Sequence, residues 1–146
     1  MANYFYKCLL IFVLINLNIF SNVVMDDKSD ILNINKINKF HTDDKYEVRV
    51  LVSNSIDGES DLLYGAEYFE DNDIGKNGVG ILIFIILDTR TVRVITGNSF
   101  DYYGISDVTI HKNITIKIIE GIKEKGLEHG LNIGISNSIK IIQEMI

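Results

Sequence analysis

Little in this sequence can make a covalent cross-link or a soft metal site. It has one cysteine, Cys8, so an intramolecular disulfide and thiolate metal ligation are excluded, and stability must come from packing. Cys8 also precedes the N-terminal apolar run, whereas a lipoprotein cysteine would follow one. Positive charge is scarce and scattered: 14 Lys and Arg stand against 20 Asp and Glu, a formal charge of −6. Neutralising phosphates takes clustered positive charge, and no basic block or aromatic-interleaved basic stripe occurs, so no nucleic-acid partner is expected. The sequence has no Gly-rich phosphate loop and no Ser-His-Asp arrangement. His41, His111 and His129 are scattered, with no His-Asp pairing at metal-ligand spacing. No apolar run reaches the ~20 residues of a spanning helix, and there is no internal repeat.

What is present is a folded composition. Of the 146 residues, 47% are hydrophobic, and the many isoleucines favour strands and packed interiors. That length allows one core once a leader is set aside. Lys7 stands before Leu9-Leu10-Ile11-Phe12-Val13-Leu14-Ile15, and the run continues past Asn16 to Phe20 and Ser21. This is the layout of a secretory signal peptide over residues 1–21, with an uncleaved N-terminal anchor as the alternative. Residues 22–45 are polar and read as a linker with a weak helix, which leaves 46–146 as the domain.

Tyr46-Glu47-Val48-Arg49-Val50-Leu51-Val52 alternates and then becomes continuously apolar, as a strand with one partly solvated face does. After a turn at Asp57-Gly58, Leu62, Leu63, Ala66, Tyr68 and Phe69 recur at helical spacing, with Ser60 placed to cap. Residues 79–87 form an uninterrupted apolar run, the pattern of a strand buried on both faces. Asp88-Thr89-Arg90-Thr91 then turns into an alternating partner strand, a hairpin. Two helical stripes close the chain, Ile110/Ile114/Ile118/Ile122 and Leu127/Leu131/Ile135/Ile139/Ile142, broken at Gly126. Gly130 and Gly134 point to close helix packing. The order β-α-β-β-α-α predicts an α/β fold, a three-layer αβα sandwich with a small mixed sheet flanked by helices.

Asp57-Gly58-Glu59-Ser60, Asn77-Gly78-Val79, Asp88-Thr89-Arg90 with Val92-Arg93-Val94, Gly97 and Ser106-Asp107 resemble the TPM domain family over roughly residues 46–142. The sequence departs from the family at Lys76, where the loop Asp is usual, at Asn98 and Ser99, and at Asp101, where Glu is usual. The resemblance implies the αβα sandwich, an exported or membrane-tethered protein, and calcium or other divalent-metal binding as in some members. It also implies, from a plant thylakoid-lumen relative, a phosphatase activity.

Topology supplies a site independently. Strands two and three run in opposite directions, and at ~3.3 Å per residue their ends are ~20 Å apart. Asp88 at the hairpin tip is therefore remote, whereas residues 71–77 and 97–107 meet at one sheet edge. Calcium takes six to eight oxygens, mostly from flexible loops. The candidate metal ligands are accordingly Asp71, Asp73, Asn77, Asp101 and Asp107, although Asp107 and Ser106 are equally placed to cap a helix. The leading expectation is an exported, divalent-cation-binding, noncatalytic interaction or assembly factor. Membrane or envelope proteins would be its partners, with Tyr102 and Tyr103 as contacts. No organic cofactor or small-molecule substrate is expected. The alternatives are a metal-assisted phosphatase-like hydrolase and a structural domain without metal.

Overall fold

The computed structural model describes residues 23–40, 44–76 and 78–146. Its frame is a four-stranded mixed sheet in the order β1-β2-β3-β4. The strands are β1 (Val23–Asp27), β2 (Tyr46–Ser53), β3 (Val79–Ile86) and β4 (Thr91–Thr96). β1, β2 and β3 are parallel, while β4 returns antiparallel to β3 with Ile83 opposite Val94. Helix α1 (Asp61–Asp71) crosses from β2 to β3. After β4 come a short helix α2 (Ser99–Tyr102), then α3 (Asp107–Ile110), a π-helical turn (His111–Thr115) and α4 (Ile116–Lys125) in one run, and finally α5 (Leu127–Met145). Gly126 separates α4 from α5 at φ 94°.

The period of two in each strand sorts side chains onto two faces. Val48, Val50 and Val52 of β2 and Ile81, Ile83 and Ile85 of β3 point to the face covered by α3 to α5, where they meet Ile110, Ile114, Ile118, Leu131, Ile135 and Ile142. Leu51, Leu82, Phe84 and Ile86 point to the other face and meet Tyr64, Tyr68 and Phe69 of α1. All eight residues of β3 are buried, as its uninterrupted apolar run requires. The sandwich is therefore three-layered, as the sequence predicts.

Four local differences have physical causes. Val23–Asp27, expected in the linker, is a strand because β2 offers it a parallel edge. Its acids are satisfied there: Asp27 accepts from the backbone N–H groups of Ser29 and Leu32, both at 2.9 Å, and Asp26 accepts from the Tyr68 hydroxyl at 2.6 Å. The expected weak helix is a single 3-10 turn, Ile34–Lys36. The inner face of α1 is Tyr64, Gly65, Tyr68 and Phe69, so Leu62 and Leu63 are exposed at 62% and 54%. Finally, Ser60 occupies the N-cap position of α1 without a side-chain cap bond, and Asp61 Oδ1 accepts from the Leu62 N–H instead.

The glycines of α5 pack as their spacing suggests. A Cβ on Gly130 would lie 2.6 Å from the Ile118 carbonyl oxygen and 2.9 Å from the Ile122 nitrogen, so only glycine lets α5 approach α4 this closely.

Candidate functional site

The expected convergence of loops at one sheet end is present. The Gly97 N–H donates to the Gly80 carbonyl and the Val79 N–H to the Lys45 carbonyl. The segment before β3 and the segment after β4 therefore share the edge at which β2 starts. Two features occupy this end.

The first is a projection built by residues 97–108. Phe100 is its anchor, 1% exposed within the larger core. The Phe100 N–H donates to the Gly97 carbonyl, the Tyr103 N–H to the Ser99 carbonyl and the Ile105 N–H to the Phe100 carbonyl. Gly104, at φ 73°, turns the chain so that Ser106 can cap α3, accepting from the Thr109 N–H. Ser106 thus takes the capping role and leaves Asp107 as the first helical residue, exposed. On this rigid loop Tyr102 is 86% exposed, Tyr103 46% and Val108 63%. The two tyrosine rings meet edge to face at 5.3 Å. Asp101 precedes them and Asp107 follows, both exposed, so the projection is apolar at its tip and acidic at its flanks.

The second feature is a polar cleft of about 560 Å3, whose walls include Asp44, Glu47, Arg49, Asn72, Asp73 and Lys76. Arg49 is paired with Glu47 at 2.7 Å, both side chains largely buried, and its Nη1 donates to Asn72 Oδ1 at 3.0 Å. Burial alone would lower the Arg49 pKa, but the hydrogen bonds with Glu47 and Tyr68 outweigh it and hold the guanidinium above its ordinary value. Tyr68 is pushed up to about 12 by burial first and then by its bond to Asp26. Asp73 lies at φ 50° and pairs at 3.5 Å with Lys76, both exposed. The cleft walls thus set three acids, Asp44, Glu47 and Asp73, against Lys45, Arg49 and Lys76, so the local charge balances.

The sequence-predicted ligands divide between these places. Asp71 ends α1 on the surface, Asp73 is in the cleft, and Asp101 and Asp107 flank the tyrosines. Asn77 lies outside the described residues. Among the described residues no three Asp, Glu, His or Cys side chains gather as a metal ion would need. Among the described residues, too, no helix is long and apolar enough to cross a membrane. Sequence reasoning missed the bridge from Asp26 through Tyr68 and Arg49 to Glu47. Only the odd charge pair Glu47/Arg49 inside an otherwise apolar strand signalled it.

The NMR structure of BA42 protein from the psychrophilic bacterium Bizionia argentinensis is similar to this chain, with a TM-score of 0.60 and 15% identity over 70% of each chain. That identity speaks to the fold alone. No curated protein matches the sequence. A protein-family model described as the TPM domain matches residues 20–141, and so takes in β1 as well as the elements anticipated from the sequence. With most of its length so matched, the chain belongs to the TPM domain family.

Proposed function

We propose that this TPM domain is a noncatalytic interaction module that works outside the cytoplasm and docks onto a partner protein through the tyrosine projection. The observation that carries the reading is Tyr102, 86% exposed on a loop whose own anchor, Phe100, is 1% exposed. A large aromatic held in solvent by a rigid loop loses little conformational freedom on binding and gains apolar burial, the behaviour of an interface anchor. Asp101 and Asp107 beside it favour a partner with a basic rim, because complementary charge speeds and orients encounter. Export is supported by the leader-like residues 1–21 and by membership of a family whose proteins are commonly extracytoplasmic.

The test is photo-crosslinking of the full chain in its host, from Tyr102→p-benzoylphenylalanine and, for comparison, from exposed Lys140 substituted in the same way. The expected result is one discrete adduct from position 102, absent from position 140 and weakened at least tenfold by Tyr103→Ala. Equal, diffuse labelling from both positions would sink the reading. Repeating the experiment with calcium and with chelator, on the parent and on Asp101→Asn/Asp107→Asn, separates a direct contact from a cation-dependent one.

A further inference from the structure

At the opposite end of the sheet from the tyrosines, the β3–β4 hairpin and α4 border a groove of about 450 Å3. Its walls include Ile31, Ile85, Leu87, Val92, Ile122 and Leu127, with the hydroxyl-bearing Thr91 beside them. Ile85 belongs to the main core, and Leu87, Val92, Ile122 and Leu127 pack against that core, whereas Ile31 is 58% exposed. The groove is thus an extension of the core that opens to water. It lies at the end of the sheet where the parallel strands finish.

Two cations, Arg90 from the hairpin turn and Lys123 from α4, also line the groove. Neither side chain has an ion pair or hydrogen bond among the described residues, in a sequence where acids outnumber bases 20 to 14. Arg90 also sits at φ 53°. A hairpin turn in this left-handed conformation calls for Gly, Asn or Asp, so the backbone gives no reason for an arginine here.

We propose that this groove binds one long-chain carboxylate, with the acyl chain along Leu87, Val92 and Ile122 and the carboxylate held by Arg90 and Lys123. The volume lies in the range of small-molecule sites, about 300–1,000 Å3. A bilayer surface presents no separate chain to a concave groove. A peptide would bring backbone polar groups that these apolar walls leave unpaired.

The test uses the full chain and displacement of dansyl-labelled undecanoic acid by octanoate, decanoate and dodecanoate, all below their micelle concentrations. Burial of each methylene strengthens binding about fourfold, so each two-carbon step is expected to gain about fifteenfold. Dodecanol is expected to bind at least tenfold more weakly than dodecanoate. Arg90→Asn/Lys123→Gln is expected to lose about tenfold for dodecanoate and nothing for dodecanol, with an unchanged thermal midpoint because Asn accepts the left-handed conformation. Tyr102→Ala/Tyr103→Ala is expected to leave the displacement unaltered, which separates this site from the docking projection. The proposal is overturned by equal affinity for dodecanol and dodecanoate, by no gain with chain length, by an unaffected Arg90→Asn/Lys123→Gln variant, or by binding to phosphatidylglycerol vesicles alone.

Discussion

The two faces of one sheet solve the same problem differently. On the face toward α3, α4 and α5, valine and isoleucine of the strands meet isoleucine and leucine of the helices, and among the described residues the polar groups buried there are the small side chains Thr115 and Ser138 and the unpaired hydroxyl of Tyr46. On the face toward α1, among the described residues, a single helix serves four strands. It lies over β3 and β4, where Tyr64 stacks on Phe84 at 5.5 Å. Toward β1 and β2 the sheet carries Asp26, Glu47 and Arg49, tied to Tyr68 near the end of α1 and to its C-cap Asn72. Apolar area removed from water stabilises the first face at about 25 cal/mol per Å2. The second depends on polar groups finding partners, which adds little net stability but costs heavily when a partner is lost.

Neighbouring residues of β3 offer the sharpest contrast, since Leu82 and Ile83 are both 0% exposed but face opposite ways. Ile83→Ala is expected to lose about 4 kcal/mol, and Leu82→Ala about 2–3, because the thinner layer can collapse into the space. Urea denaturation of both variants measures this, and equal losses would break the comparison. Glycines extend it. Gly130→Ala drives a Cβ into backbone and is expected to cost about 2–3 kcal/mol. Gly65→Ala on α1 meets the movable end of Ile95 and only the edge of the Phe84 ring at 3.3 Å, and it recovers helix propensity, so its net cost is expected to be below about 1 kcal/mol.

The polar face should show itself in alkali. Tyr68 has a folded-state pKa raised to about 12, so the folded form holds a proton that the unfolded chain has already released. Its contribution is complete below pH ~10 and is lost as the pH rises toward 12, a decline of about 1 kcal/mol once solvent screening is allowed for. Thermal midpoints measured across that window are expected to fall less in Tyr68→Phe. The smallest effect belongs to the surface pair Arg93–Asp61 at 2.7 Å. Asp61→Ala is expected to cost about half a kcal/mol, diminishing in high salt.

The apolar face was the more legible one in the sequence, because its information is local. The run at 79–87, the alternation in β4 and the isoleucine stripes are periodicities visible without tertiary contacts. β1 was hidden: a short parallel strand has no hairpin partner beside it, and Asp26 and Asp27 look like linker until Tyr68 and Leu32 supply their hydrogen bonds. Leu62 and Leu63 misled because helical spacing fits two registers, and the choice fell to Gly65, the residue small enough to lie on the sheet. The convergence of loops at one sheet end followed from strand direction. Whether particular carboxylates touch did not, because that depends on loop conformations such as the positive φ of Asp73.

The π-helical turn His111–Thr115 holds one residue more than an α-helix of the same rise requires. Removing a single residue there should let the run relax to a regular helix while keeping the azimuth of α3 and of the tyrosines ahead of it. The same deletion inside Ile116–Lys125 would swing everything upstream by about 100°. This short stretch is therefore slack that an evolving gene can take up or let out, adjusting the length of the chain without redirecting the surface it presents.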